Sequence, residues 1–287
     1  MGSELARRVA FSVVAAPAAV AIVYFGDAAL ATLLSILAAL AAWELFRIAR
    51  AGGVDPLAWI GIPVAALLPL SAHAARLGVF YPPPAVGAVV VLAVLAAAIW
   101  TRGVDGRPLA ASAVTVLGIL YTGGMLSFGY ALRYHRFTVD ALGGAALLTL
   151  PVLLTWASDV GGYAVGRLVG RRKLIPSVSP GKTVEGAAGA LVVTIAICWL
   201  YVTYALRPAA QLALAPWAVV VFGAAISVTA QVGDLAESLL KREAGVKDSS
   251  RIIPGHGGIL DRLDSLLFVL PVAYLLLMRG LLVPAPR

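Results

Sequence analysis

Residues 238–264 read S-L-L-K-R-E-A-G-V-K-D-S-S-R-I-I-P-G-H-G-G-I-L-D-R-L-D, set between long apolar runs at about 214–236 and 259–282. The contrast decides the fold. The flanks are apolar enough to sit in lipid, whereas Lys, Arg, Asp, Glu, Ser and His crowd the stretch between them. Ser238, Lys241 and Arg242 stand three or four residues apart, on one helix face. Pro254-Gly255 and Gly257-Gly258 force an irregular turn with His256 between them. Asp261 and Asp264 are spaced i, i+3, so both carboxylates can project the same way from the start of the next helix. Basic groups, a glycine turn and paired carboxylates suit a metal-bound polyphosphate.

Outward from this stretch the apolar pattern repeats. Of 287 residues 61% are hydrophobic and 13% charged, which excludes an ordinary soluble domain. Runs of about 17–25 apolar residues are each enough to cross a bilayer. They fall at about 9–25, 28–48, 57–73, 84–100, 110–132, 141–166, 184–206, 214–236 and 259–282. The expectation is an all-α polytopic membrane bundle of about nine transmembrane helices. Arg7 and Arg8 ahead of Val9–Phe25 resemble a signal peptide, but the next span follows almost at once, which favours an uncleaved first span. The single Cys198 rules out an internal disulfide framework and reads as a small packing residue.

The net charge of +8 does not point to nucleic acid, because the basic residues punctuate apolar runs and no polar domain carries them. With a cytoplasmic N-terminus, 16 of the 22 Lys and Arg fall on the cytoplasmic side of these nine spans, as the positive-inside rule expects. Two loops that read as catalytic supply ten of the 16.

Charge also divides the chain. All four lysines and eight of the 14 acids lie beyond residue 140. Residues 1–140 therefore read as a membrane scaffold half and 141–287 as a catalytic half. In the first half Glu44 stands out, since a carboxylate is expensive in a membrane span. It reads either as an acid that orients a basic residue of the site or as an interfacial acid beside Arg47. His73 and His135 read as interfacial.

Two further segments carry chemistry. In Ser158-Asp159-Val160-Gly161-Gly162-Tyr163, Asp159, Gly162, Tyr163, Gly166 and Arg167 fall on one helical stripe, and the glycines let another backbone approach. Ser179-Pro180-Gly181-Lys182-Thr183-Val184-Glu185-Gly186 opens a helix whose free amides, with Lys182, suit an anion. It is not a P-loop, because Pro176 stands where that motif needs glycine. Asp234, Glu237, Ser238 and Lys241 share a further helix face. Carboxylates from two helices meeting a phosphate-rich ligand are typical of Mg²⁺. Zinc is excluded by the single cysteine and by the lack of a second histidine near His256.

Residues 238–264 resemble the signature of the phosphatidate cytidylyltransferase family at Ser238, Lys241-Arg242, Lys247-Asp248, Pro254, His256-Gly257-Gly258, Asp261-Arg262 and Asp264. The segment 179–186 is similar to a second block of that family. Residues 158–163 are a looser match, with Ser158, Val160 and Gly162 where Thr, Thr and Ala are commoner. The resemblance covers about residues 155–265. It implies the reaction of CTP with phosphatidate to CDP-diacylglycerol and pyrophosphate, with Mg²⁺ and a possible monovalent cation such as K⁺. It also implies a homodimer in a bacterial plasma (inner) membrane with its site at the cytoplasmic face. On that reading Lys182, Asp234, Lys241, Asp261 and Asp264 are catalytic, and Asp234, Asp264, Asp261 and Asp159 are the metal candidates. Ser179, Lys182, Thr183, Ser238, Lys241, Arg242, Lys247, His256, Gly257, Gly258 and Arg262 are the substrate-binding candidates. A transporter, or an enzyme that uses CTP on another lipid, is the rival reading.

Overall fold

The computed structural model describes residues 17–136, 138, 140–253 and 257–285. His256, Pro254 and Gly255 lie outside the described residues. Among the described residues six helices are long and apolar enough to cross a membrane: Asp27–Ala51, Ala58–Arg76, Pro108–Arg133, Ala141–Val169, Val184–Ala210 and Pro216–Glu243. The expected span at 84–100 forms a shorter apolar helix, Ala85–Thr101. That at 259–282 forms Leu260–Leu276 and a π-turn, Leu277–Leu281. The expected first span is helical from residue 17, where the description begins. The chain is an all-α polytopic membrane protein, as its hydropathy predicts.

The contacts divide the chain differently from the charge pattern. One compact unit is Met1–Tyr130 with Leu240–Leu263; the other is Ala131–Leu239 with Asp264–Arg287. The polar stretch thus joins the N-terminal helices.

The first unit contains α1 (residues 17–25), α2 (Asp27–Ala51), α3 (Ala58–Arg76), α4 (Ala85–Thr101) and α5 (Pro108–Gly118). Pro108 opens α5 at its first turn, where the missing N–H has no intrahelical partner to lose. A π-turn, Ile119–Gly124, leads on to α6 (Met125–Arg133). Small residues let these helices close on large ones. A methyl group at Gly61 or Gly118 would lie 2.5 or 2.3 Å from the Phe46 ring, so the ring occupies the space that the two glycines leave. Thr115 accepts from Leu57 N at 2.8 Å and donates to Ala111 O at 2.7 Å, which satisfies a buried hydroxyl.

The second unit contains α7 (Ala141–Val169), a hairpin of β1 (Lys173–Ile175) and β2 (Ser179–Thr183), and α8 (Val184–Tyr201). A π-turn, Val202–Leu206, and the short α9 (Arg207–Ala210) follow. A two-stranded antiparallel ribbon pairs β3 (Leu212–Leu214) with β4 (Leu282–Pro284). Helices α10 (Pro216–Glu243) and α11 (Leu260–Leu276) each supply residues to both units. Asp140 caps α7 by accepting from Gly143 N at 2.7 Å. The glycine stripe on α7 meets α8: a methyl on Gly186 would lie 2.8 Å from Gly162 O. Backbone-to-backbone packing of this kind is what glycines at four-residue spacing permit.

The two histidines expected at the interface both have partners within the protein. His135 is buried at 3% exposure, edge-on to Tyr274. Burial, and then the neighbouring Arg136 charge, hold its pKa below the ordinary imidazole value. His73 is half-buried with Nδ1 2.6 Å from the Tyr130 hydroxyl.

Candidate active site

Each unit gathers its own set of charges. In the second unit α7, β2, α8 and α10 enclose a cavity of about 440 Å³, within the usual range for small-molecule sites. Asp159, Tyr163 and Arg167 reach it from α7, Lys182 from β2, and Gln231 and Asp234 from α10. Lys182 Nζ lies 2.5 Å from Asp234 Oδ2, and both side chains keep about a third of their surface exposed (27% and 31%). Ser238 Oγ stands 3.4 Å from the other Asp234 oxygen. Lys182 and Asp234, both catalytic candidates, thus stand together although 52 positions separate them.

The start of α8 forms one wall. Thr183 is its N-cap and accepts from Gly186 N at 3.1 Å, so this hydroxyl is engaged by its own helix. Glu185 accepts from Arg171 N at 2.9 Å and Arg172 N at 3.1 Å, which fastens the end of α7 to the start of α8. Gly181, Lys182, Thr183 and Gly186 all line the cavity, so the amide-rich, positive end of α8 adjoins it. Ser158, buried at 1% exposure, meets Ser227 Oγ at 3.1 Å. Asp159 is exposed and lines the cavity. Ser179 lies in β2 opposite Ile175, apart from the cavity lining.

Asp264 belongs to the same unit. A methyl on Gly233, the residue before Asp234, would lie 2.8 Å from Asp264 O, so the two chain segments cross closely. Asp264 Oδ1 accepts from Ser265 N at 2.6 Å. Among the described residues no three His, Cys, Asp or Glu side chains come together in a metal-ligating group.

In the first unit the acid and base are buried together. Lys241 Nζ lies 2.8 Å from Asp261 Oδ1, with side-chain exposures of only 11% and 10%. Ser249 N donates to both Asp261 oxygens at 3.2 and 3.1 Å, and Gly258 N to Oδ2 at 2.8 Å. Asp261 therefore ties the turn to the start of α11, and both its oxygens carry protein donors. Two of the catalytic candidates, Lys241 and Asp261, the latter also a metal candidate, are thus brought together. Ile253 N donates to Gly257 O at 3.0 Å, and Gly257 stands at φ +84°, a backbone region that glycine tolerates best. Arg242, Lys247 and Arg262 are exposed.

Sequence reasoning missed the hydroxyls of Ser249 and Ser250, which meet the Glu44 carboxylate at 3.0 and 2.5 Å. Glu44 itself was visible as a costly acid in a span. It is fully buried, so it is not an interfacial acid, and the basic residue it was expected to orient is not among these partners.

Fold and cavity define the class: a polytopic helical membrane protein that keeps a charge-lined recess at a helix N-terminus. Within that class the chain belongs to the Cytidylyltransferase family, which matches residues 6–279. It is similar to proteins named phosphatidate cytidylyltransferase in several bacteria. The one from Staphylococcus saprophyticus is 45% identical over 136 residues, 47% of this chain and 50% of that protein. The one from Bacillus subtilis is 44% identical over 134 residues, 47% of this chain and 48% of that protein. The one from Haemophilus influenzae is 41% identical over 140 residues, 49% and 48% of the two chains. The matched stretch thus spans about half the length of each of these relatives.

Proposed function

We propose that this protein is a phosphatidate cytidylyltransferase, joining CTP and phosphatidate into CDP-diacylglycerol with release of pyrophosphate. One observation carries the reading: a half-exposed Lys182–Asp234 pair in a cavity at the N-terminus of α8, in a chain of the Cytidylyltransferase family.

The chemistry asks for charge neutralisation more than for a strong base. The phosphate monoester of phosphatidate is already ionised near neutral pH and can attack the α-phosphorus of CTP directly, displacing pyrophosphate in line. Both reactants are polyanions; two unit charges ~4 Å apart at an effective dielectric near 20 repel by ~4 kcal/mol. Lys182 offers an ammonium to that charge, and the amides at the start of α8 add a fixed positive dipole. Asp234 holds Lys182 toward the cavity. Arg167 lines the same cavity, its guanidinium 3.0 Å from the Tyr163 hydroxyl.

Mg²⁺ fits the donors present. It typically takes one or two carboxylates and completes its shell with water and substrate phosphate, and Asp159 and Asp234 both line the cavity. Bound there it would supply charge neutralisation of phosphate oxygens. Asp264 remains a metal candidate through its close crossing with the Asp234 segment. Ser238, beside Asp234, is assigned to a phosphate contact; Arg242, Lys247 and Arg262 are exposed and stay substrate-binding candidates. The reading includes a homodimer in the bacterial inner membrane, a cytoplasmic-facing site and a monovalent-cation requirement.

The test uses the full chain in detergent, with CTP, phosphatidate and Mg²⁺, and follows pyrophosphate release together with the lipid product. Wild type should form CDP-diacylglycerol and lose activity with EDTA. Absence of CTP-dependent pyrophosphate release, or a K182A variant that turns over like wild type, overturns the proposal.

A further inference from the structure

Glu44 sits near the end of a membrane helix, yet four donors from residues 249–260 converge on it. Oε2 accepts from Ser249 Oγ at 3.0 Å and Leu260 N at 2.6 Å; Oε1 accepts from Ser250 Oγ at 2.5 Å and Ile259 N at 3.0 Å. The side chain is completely buried. A carboxylate in such a place is tolerable only when donors surround it, and here each oxygen takes one hydroxyl and one amide. The amides belong to the first turn of α11, where N–H groups lack intrahelical acceptors. Negative charge at that end also interacts favourably with the helix dipole. Glu44 is thus an N-terminal cap supplied by a different helix.

The surrounding contacts lock the same segment. Arg47, one turn along α2, donates to Ser249 O at 2.9 Å. Ser249 N goes to Asp261 while Ser249 Oγ goes to Glu44, so one serine links the two carboxylates. A methyl on Gly258 would lie 2.0 Å from Ser249 Oγ and 2.6 Å from both Glu44 oxygens. The fit leaves room for hydrogen alone.

We infer that Glu44 is a positioning residue for the reaction: it fixes the turn that carries Lys247, Gly257 and Gly258 and the first turn of α11 that carries Asp261 and Arg262. Each of its oxygens already accepts two protein donors and the side chain is fully buried, so it acts through the turn rather than on substrate. Its kinetic consequence rests on the function proposed above; its hold on the turn does not.

Glu44→Gln preserves shape but replaces one acceptor by an NH₂ donor. A serine hydroxyl can rotate to receive that donor, whereas the backbone amide on the same side cannot. In the full-length protein, hydrogen exchange at Ile259 and Leu260 should rise, and kcat should fall roughly 10–100-fold, the usual effect of losing a group that orients others. KM for CTP should change by less than about threefold, the pattern of a lost orienting interaction rather than lost uniform binding. Glu44→Asp, which restores both acceptors, should recover part of the turnover. If E44Q does not fold, S250A replaces it: that variant deletes one donor and should show the same two changes, smaller. Wild-type exchange at residues 259 and 260 in the variants overturns the inference, as does lost protection with wild-type kcat. A wild-type protein that releases no pyrophosphate sinks the proposed function instead, while the exchange measurement still decides whether Glu44 holds the turn.

Discussion

The polar turn before α11 and the cavity beside α8 use the same residue types to opposite ends. At the turn, Glu44 is buried, the Asp261 side chain is only 10% exposed, and every oxygen accepts at least one protein donor. In the cavity, Asp234 and Lys182 pair at 2.5 Å but remain nearly a third exposed. A charge closed in by its own protein is committed to holding shape. A charge that keeps an open side can exchange partners when a polyanion arrives. The comparison separates architecture from chemistry among residues that look alike as letters in a sequence.

It can be broken by experiment. The largest effect belongs to D261A, which removes the carboxylate shared by Lys241 and two amides; loss of one partner from a buried pair costs about 3–5 kcal/mol. A chemical-denaturation or thermal-melt series should show this loss of stability, with activity falling alongside. K182A should behave differently: turnover falls about 100-fold or more, the scale of removing one preorganised charge donor, while the melting temperature barely moves, because half-exposed pairs add little stability. If K182A destabilises as much as D261A, the contrast between the two regions is wrong. G258A sharpens the other side. Its methyl would press on Ser249 Oγ and Glu44 and should cost ~1–3 kcal/mol, the usual range for overpacking, measurable by the same melts. T183A should be the mildest, losing ~1 kcal/mol with the cap of α8 and reducing CTP turnover only as far as the cavity wall loosens.

The helices were legible because lipid imposes one simple demand, a run of about 20 apolar residues, and most described ends fall within a few residues of those runs, although α10 runs on to Glu243. The hairpin β1–β2 was not legible. Its strand β2, Ser179–Thr183, carries Pro and Gly and lacks the alternation that marks a strand, and β1 is only three residues long. Lys182 and Asp234 stood out as charges amid apolar residues, and their meeting followed from a chemical argument about phosphates. Asp261 stood out as an acid at a helix start, but its i, i+3 spacing with Asp264 says nothing of the backbone donors it meets. Glu44 announced its cost without naming its partners, two of which are main-chain amides with no signature in sequence.

Phe46, two residues beyond Glu44, occupies the space left by Gly61 and Gly118. That fit acts as a key in a keyway, fixing the axial rotation of α2. Replacing either glycine by a bulkier residue would turn the helix and swing the carboxylate off target, silencing the protein from a wholly greasy position. Trimming the ring to a smaller side chain should then act as a second-site suppressor, so a genetic screen for revertants of a Gly61 or Gly118 lesion should return changes at Phe46.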